Sequence, residues 1–115
     1  MEDVFIGMDN DVKLFVKISS DAIVGSNVSL NDSLVKKSGL YSFNVDLGNS
    51  NILDNNKLSI GSNFFVSDGN VDSFLRNTSV TCILKFGDDT KEFFCENVKI
   101  TESFFIAFLV INLIN

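Results

Sequence analysis

Hydrophobic and polar residues alternate with a period of two along much of this chain. Every second residue from Val12 to Ile18 is apolar, and Lys13 and Lys17 occupy two of the positions between them. Residues 41–47 repeat the pattern, with apolar residues at the odd positions and Ser, Asn and Asp at the even ones. Because successive side chains of a strand point to opposite faces, this alternation predicts two strands, each with one buried face.

The remaining apolar runs are shorter, and clusters of Asn, Asp, Gly and Ser separate them. These residue types form tight turns, since they tolerate the backbone conformations that turns require. The pattern predicts further strands at 4–8, 58–60 and 64–66, and a weak strand at 22–24 or 28–30. Two short helical turns are predicted at 33–37 and 71–76.

Short strands with turns this frequent are typical of all-β proteins. We therefore expect an antiparallel β-sandwich, immunoglobulin-like or jelly-roll-like in architecture, with a small closed barrel as the alternative. The 115 residues are expected to form a single β domain, 1–115. With no Trp in the sequence, the immunoglobulin-like description refers to architecture alone.

A hairpin is predicted at 80–96, with its turn centred on Asp88 and Asp89. This register pairs Leu84 with Phe93 and Lys85 with Glu92, which are favourable apolar and charged pairs. The other predicted pairs are Cys82 with Cys95, Phe86 with Lys91, Ile83 with Phe94, and Thr81 with Glu96. The two cysteines could form a disulfide, but without a secretory signal two reduced, buried thiols are the favoured interpretation.

The segment 103–115 has no charged side chain, and it predicts a strand that is apolar on both faces. A strand in a two-layer sandwich needs only one apolar face. The second face carries Phe104, Ile106, Phe108 and Val110, which we identify as a candidate partner interface. The alternative is that a loop, a short helix or a barrel interior covers these four residues.

Composition argues against most chemical functions. The chain has no histidine, a single arginine and a net charge of −6, so we expect no nucleic-acid partner, no membrane partner and no enzyme activity. We predict no catalytic, cofactor-binding or metal-ligating residues. The run 68–72 begins like a calcium loop, but Ser73 and Ser79 stand where that loop needs Gly and Glu. Two acidic turns, 9–11 and 88–89, could meet at one end of a sandwich.

These observations support two hypotheses of function. The first is a non-enzymatic structural or interaction module that assembles with itself or with a larger particle. The sequence is rich in Asn, Ile, Lys, Phe and Ser, as proteins encoded by AT-rich genomes are. A phage virion or decoration protein is therefore one form of this hypothesis. The second is a small barrel or sandwich whose Phe-rich interior binds an apolar ligand. Residues 1–5 do not resemble a signal peptide, so the expected location is cytoplasmic, or the virion if the protein is phage-encoded.

Overall fold

The computed structural model describes residues 2–67 and 70–115 of the chain. Within these ranges it contains ten strands and two short helices. In chain order they are β1 Glu2–Phe5, β2 Asp11–Ser19, β3 Ile23–Leu30, β4 Ser33–Ser38, β5 Ser42–Asn49, α1 Ser50–Leu53, β6 Asn56–Phe65, α2 Val71–Arg76, β7 Ser79–Phe86, β8 Asp89–Phe94, β9 Glu96–Thr101 and β10 Phe104–Ile114.

The strands form two packed sheets. The large sheet has six strands in the order β1-β10-β6-β3-β4, with β9 also paired to β10, and the small sheet has the order β5-β2-β7-β8. All neighbouring strands are antiparallel except β1, which runs parallel to β10. The predicted all-β sandwich is therefore confirmed. The described strands form two separate sheets, so the closed-barrel alternative is wrong.

The core lies between the two sheets and is built by the predicted alternation. In β2 the buried residues are Val12, Leu14, Val16 and Ile18, as their period of two indicates. In β10 the inward positions include Phe105, whose ring stacks on that of Phe64 with centroids 4.7 Å apart. The other residues of this central layer include Leu58, Ile60, Leu84, Ala107, Ile111 and Leu113, all buried.

Several segments differ from the prediction, beginning with β1, which covers Glu2–Phe5 where the sequence predicts a strand at 4–8. Residues 56–65 form one ten-residue strand, β6, where the sequence predicts two short ones. The predicted helical turn at 33–37 is strand β4, and β3 runs from Ile23 to Leu30, which includes 28–30 and all but the first residue of 22–24. In β3, β4 and β6, pairing with a neighbouring strand outweighs the local preference of Ser, Asn and Gly for turns. Strand β5 begins at Ser42, so Tyr41 lies outside it and is 43% exposed.

Both helices are short. Helix α2 occupies the predicted range Val71–Arg76, and α1 begins after Asn49, whose side-chain oxygen accepts a hydrogen bond from the amide of Asn51. In the part of the chain that the structure describes, no helix has the length and apolar character that crossing a membrane requires.

The β7–β8 hairpin exists, but its predicted register is wrong by two residues. Phe86 pairs with Asp89, leaving Gly87 and Asp88 as a two-residue turn. Gly87 adopts a φ of +62°, which a turn of this type favours at its first central position. The predicted pairs are replaced by Leu84 with Lys91, Lys85 with Thr90, Ile83 with Glu92, Cys82 with Phe93 and Thr81 with Phe94. A shift of two residues leaves every side chain on its predicted face.

Candidate partner interface

Strand β10 presents its second apolar face on the outside of the large sheet, away from the small sheet. Phe104, Ile106 and Val110 are half-buried there, and 40% of Phe108 is exposed. All four side chains keep part of their surface open to solvent. The two faces of β10 therefore differ, since the inward-pointing Phe105, Ala107, Ile111 and Leu113 are fully buried.

The pairing of neighbouring strands extends this apolar surface beyond β10. We call a row the set of residues that are paired side by side on neighbouring strands and point to the same face. In the first row, Phe104 of β10 is paired with Phe65 of β6, and Phe65 is paired with Ile23 of β3. The rings of Phe65 and Phe104 stack with centroids 5.0 Å apart. Phe65 is 51% exposed and Ile23 is 67% exposed, so the row is largely open to solvent.

The second and third rows combine large apolar residues with glycine. Ile106 lies in a row with Val98 of β9 on one side and with Asn63 and Gly25 on the other. In the third row, Phe108 lies beside Gly61 of β6. A side-chain carbon added at Gly25 or Gly61 would meet no atom within 4 Å, so the surface above both glycines is open. The outer face thus has large side chains along β10 beside a shallow depression at Gly25 and Gly61, whereas Ile23 and Phe65 of the first row are large.

Charged residues stand at the two ends of the third row. The row reads Lys37 of β4, Asn27 of β3, Gly61 of β6, Phe108 of β10 and Glu96 of β9. Both charged residues are exposed. Across the three rows, the described positions between these ends carry no charged side chain. Depletion of charge around an apolar centre is the compositional signature of protein interfaces.

The outer face of the small sheet has a different character. Its centre holds Phe15 opposite Ile83, but charged residues surround this pair. Lys13 and Lys85 are paired two residues along the strands from Phe15 and Ile83, and Glu92 is paired with Ile83. Interspersed charges of both signs are typical of a solvated surface. The two outer faces of the sandwich are therefore unequal, and the large sheet carries the candidate interface.

The structure brings two of the acidic turns together without forming a metal site. Asp9, Asp11 and Asp88 line one open cavity of about 350 Å³, but Lys13 and Lys85 line it as well. In residues 2–67 and 70–115, no group of three or more acidic, cysteine or histidine side chains is arranged to hold a metal ion. The predicted calcium-like run at 68–72 begins at Asp68 and Gly69, which lie outside the described residues.

An open groove of about 690 Å³ lies beside the candidate interface, between the edge strand β8 and the middle of β10. Its apolar lining comes from Phe93, Phe94, Phe108, Leu109 and Val110, and its charged lining from Glu2, Lys91, Glu92 and Glu96. Several phenylalanines, by contrast, fill the space between the sheets, since Phe43, Phe64, Phe93 and Phe105 are buried.

Only part of the candidate interface could be recognised in the sequence. Strand β10 was identifiable because its two faces are both apolar. Phe65 and Ile23 escaped recognition, because their position beside Phe104 depends on pairing between strands that are far apart in the chain.

Comparison with protein-family models, with curated proteins and with solved structures finds no match in any of the three.

Proposed function

We propose that this protein is a non-enzymatic interaction module that assembles with a second copy of itself through the outer face of the large sheet. The observation that carries this proposal is the half-exposed apolar surface centred on Phe104, Ile106, Phe108 and Val110. Exposed contiguous apolar surface is costly in water, and burying it on a partner is favourable. The absence of histidine and the single arginine also favour a non-enzymatic role.

Charge and shape both favour a second copy as the partner. In a twofold dimer the same patch occurs on both sides, so it must be complementary to itself. We place a twofold axis parallel to the strands and above β6. The two large sheets then face each other with their strand orders reversed, so that each residue faces a residue of the same row in the second copy. Lys37 then faces Glu96 of the second copy, and Glu96 faces the second copy's Lys37. An acidic chain with a net charge of −6 could approach itself at this face without like charges meeting in these rows.

The same axis matches large residues with small ones. Strand β10 of one copy lies over β3 of the other, so Ile106 faces Gly25 of the second copy and fits into its depression. Phe104 faces Ile23 of the second copy, which pairs two apolar residues. On the axis, Phe65 of the first row faces its own counterpart, which is an apolar contact, and Gly61 of the third row faces its own counterpart with no side chain between the two sheets.

The area available indicates a reversible dimer. Four strands spaced about 4.8 Å apart, with about seven residues each at 3.4 Å per residue, give a footprint of roughly 450 Å² per copy. The total, roughly 900 Å², is at the small end of specific interfaces, where association is weak or transient. A larger particle such as a virion is the alternative partner for this face, and residue usage alone supports it.

Charge reversal at the ends of the third row tests the proposal. Lys37→Glu and Glu96→Lys should each weaken dimerisation about 3- to 30-fold, because each change creates two like-charge contacts across the interface. The double variant restores opposite charges and should dimerise within about twofold of the unaltered protein. Sedimentation equilibrium measures the dissociation constants.

A matched control separates this pairing from the effect of net charge. Lys13→Glu makes the same change of charge on the outer face of the small sheet and should alter the dissociation constant less than twofold. Equal weakening by Lys13→Glu and Lys37→Glu, without recovery in the double variant, would contradict the proposed arrangement. A protein that does not self-associate at any concentration would contradict self-assembly itself.

Binding of an apolar ligand is the second candidate function, and the groove between β8 and β10 favours it. Its volume of about 690 Å³ lies within the range of small-molecule sites. The groove is open to solvent, however, whereas such sites enclose most of their ligand. A rise in the unfolding temperature on addition of the uncharged amphiphile dodecanol, abolished by Phe94→Ala at the exposed side of the groove, would favour this candidate over self-assembly.

A further inference from the structure

The two cysteines lie together although their predicted pairing is wrong. The Sγ atoms of Cys82 and Cys95 are 3.7 Å apart, and both thiols are free. Cys82 lies in the middle of β7, whereas Cys95 is the single residue between β8 and β9. The amide of Cys95 donates a 2.9 Å hydrogen bond to the carbonyl of Val80, which fixes Cys95 diagonally across from Cys82.

The two thiols are not equivalent. Cys82 is fully buried, whereas Cys95 is only half-buried. When Cys95 is a thiolate it accepts a hydrogen bond from the S–H of Cys82, which lowers the pKa of Cys95 below that of an ordinary thiol. The same hydrogen bond, together with burial, raises the pKa of Cys82. Because the thiolate is the nucleophilic form of cysteine, Cys95 is both the more reactive and the more accessible of the pair.

We propose that Cys82 and Cys95 form a redox-active dithiol that undergoes thiol–disulfide exchange with low-molecular-weight disulfides. Cys95 is the attacking residue and Cys82 the resolving one. This inference goes beyond the proposed assembly and does not depend on it, since both sulfurs belong to one chain.

The exchange takes place in two steps. The thiolate of Cys95 attacks one sulfur of the small disulfide, forming a mixed disulfide and releasing one small thiolate, which takes a proton from water. The sulfur of Cys82 then loses its proton and attacks Cys95 Sγ, forming the Cys82–Cys95 bond. The second small thiolate leaves and takes up a proton. In total the pair loses two electrons and two protons, and one small disulfide becomes two small thiols.

The net charge of the chain, −6, and the lining of the groove that contains both chain neighbours of Cys95 indicate which disulfides react fastest. These neighbours, Phe94 and Glu96, line the open groove, together with Glu2, Glu92 and a single lysine, Lys91. This excess of carboxylates attracts cations and repels anions. A cationic disulfide such as cystamine should therefore react faster than an anionic one such as oxidised glutathione.

Mass spectrometry after alkylation tests the proposal. The purified full chain is incubated with cystamine, quenched and desalted in acid, then alkylated with N-ethylmaleimide in guanidinium at neutral pH, where both cysteines are accessible, and weighed intact. We expect the starting protein to take up two maleimides, one for each cysteine. After reaction it should take up none, lack two hydrogens and carry no cysteamine. A product that carries cysteamine on both cysteines, or protein that keeps both thiols in excess cystamine, would overturn the proposal.

Two variants separate the roles of the cysteines. Cys82→Ala should stop at the mixed disulfide, with one cysteamine bound to Cys95, because no resolving thiol remains. Cys95→Ala should react on the order of tenfold or more slowly, because the buried Cys82 is the only thiol left. Equal rates for the two variants would overturn the assignment, and circular dichroism establishes that both are folded. The mass of the unaltered protein keeps the test decisive if either variant fails to fold.

Discussion

Replacing Ile106 by aspartate is expected to produce a folded monomer that no longer self-associates. In the proposed dimer Ile106 faces Gly25 of the second copy, so the new carboxylate would lose its water without gaining a cation. Two such carboxylates would be buried per dimer. We expect dimerisation to weaken at least about 100-fold, or about 3 kcal/mol, as measured by sedimentation equilibrium.

The matched control is Ile83→Asp, on the outer face of the small sheet. Ile83 is half-buried in the middle of a strand, as Ile106 is, but it belongs to the face that carries interspersed charges. This variant should dimerise like the unaltered protein. Loss of assembly in both variants would contradict this interface. Unfolding of Ile106→Asp, measured by circular dichroism, would also contradict it and would assign Ile106 to the core of the monomer.

Phe105→Ala is expected to destabilise the fold more than any change on the outer face. Phe105 is fully buried and its ring stacks on Phe64. Truncating a buried phenylalanine removes buried apolar area and leaves a cavity, which costs about 3–5 kcal/mol. Because small domains are stable by about 5–15 kcal/mol in total, the midpoint of urea unfolding should fall steeply.

The control for this change is Phe94→Ala, which removes the same ring from a side chain that is 69% exposed. Its expected cost is below about 1 kcal/mol. Both variants are compared at one protein concentration, because dimerisation adds to the apparent stability. Similar unfolding midpoints for the two variants would contradict the packing of β10 against the core.

Strands with regular alternation were predictable from the sequence, and strands with polar interiors were not. The alternation in β2 needs no partner to be recognised. Strand β6 contains Gly61, Ser62 and Asn63, which locally resemble a turn. It is a strand because β3 and β10 pair with it on both sides, which is tertiary information. In the β7–β8 hairpin, by contrast, local conformation outweighs pairing between strands. The two-residue turn that begins at Gly87 sets the register, although a different register would give more favourable side-chain pairs.

The candidate site was predictable to a similar extent. Phe104, Ile106, Phe108 and Val110 are recognisable because a strand with two apolar faces needs a second covering surface. The positions that give this face its shape and charge come from distant strands. From the sequence alone, Gly25 indicates only a residue that weakens a strand. Its position beside the large side chains of β10 becomes visible only when the pairing of Gly25 with Asn63, and of Asn63 with Ile106, is known.

The solution mass of the purified protein tests the central claim of self-assembly most directly. Light scattering is measured from the low micromolar range to about 1 mM, which covers the affinities expected for a small interface. We expect the mass to rise from that of one chain, 12.7 kDa, towards twice that value as the concentration increases. A mass of one chain at every concentration would contradict assembly with a second copy and would leave the outer face of the large sheet for a different partner.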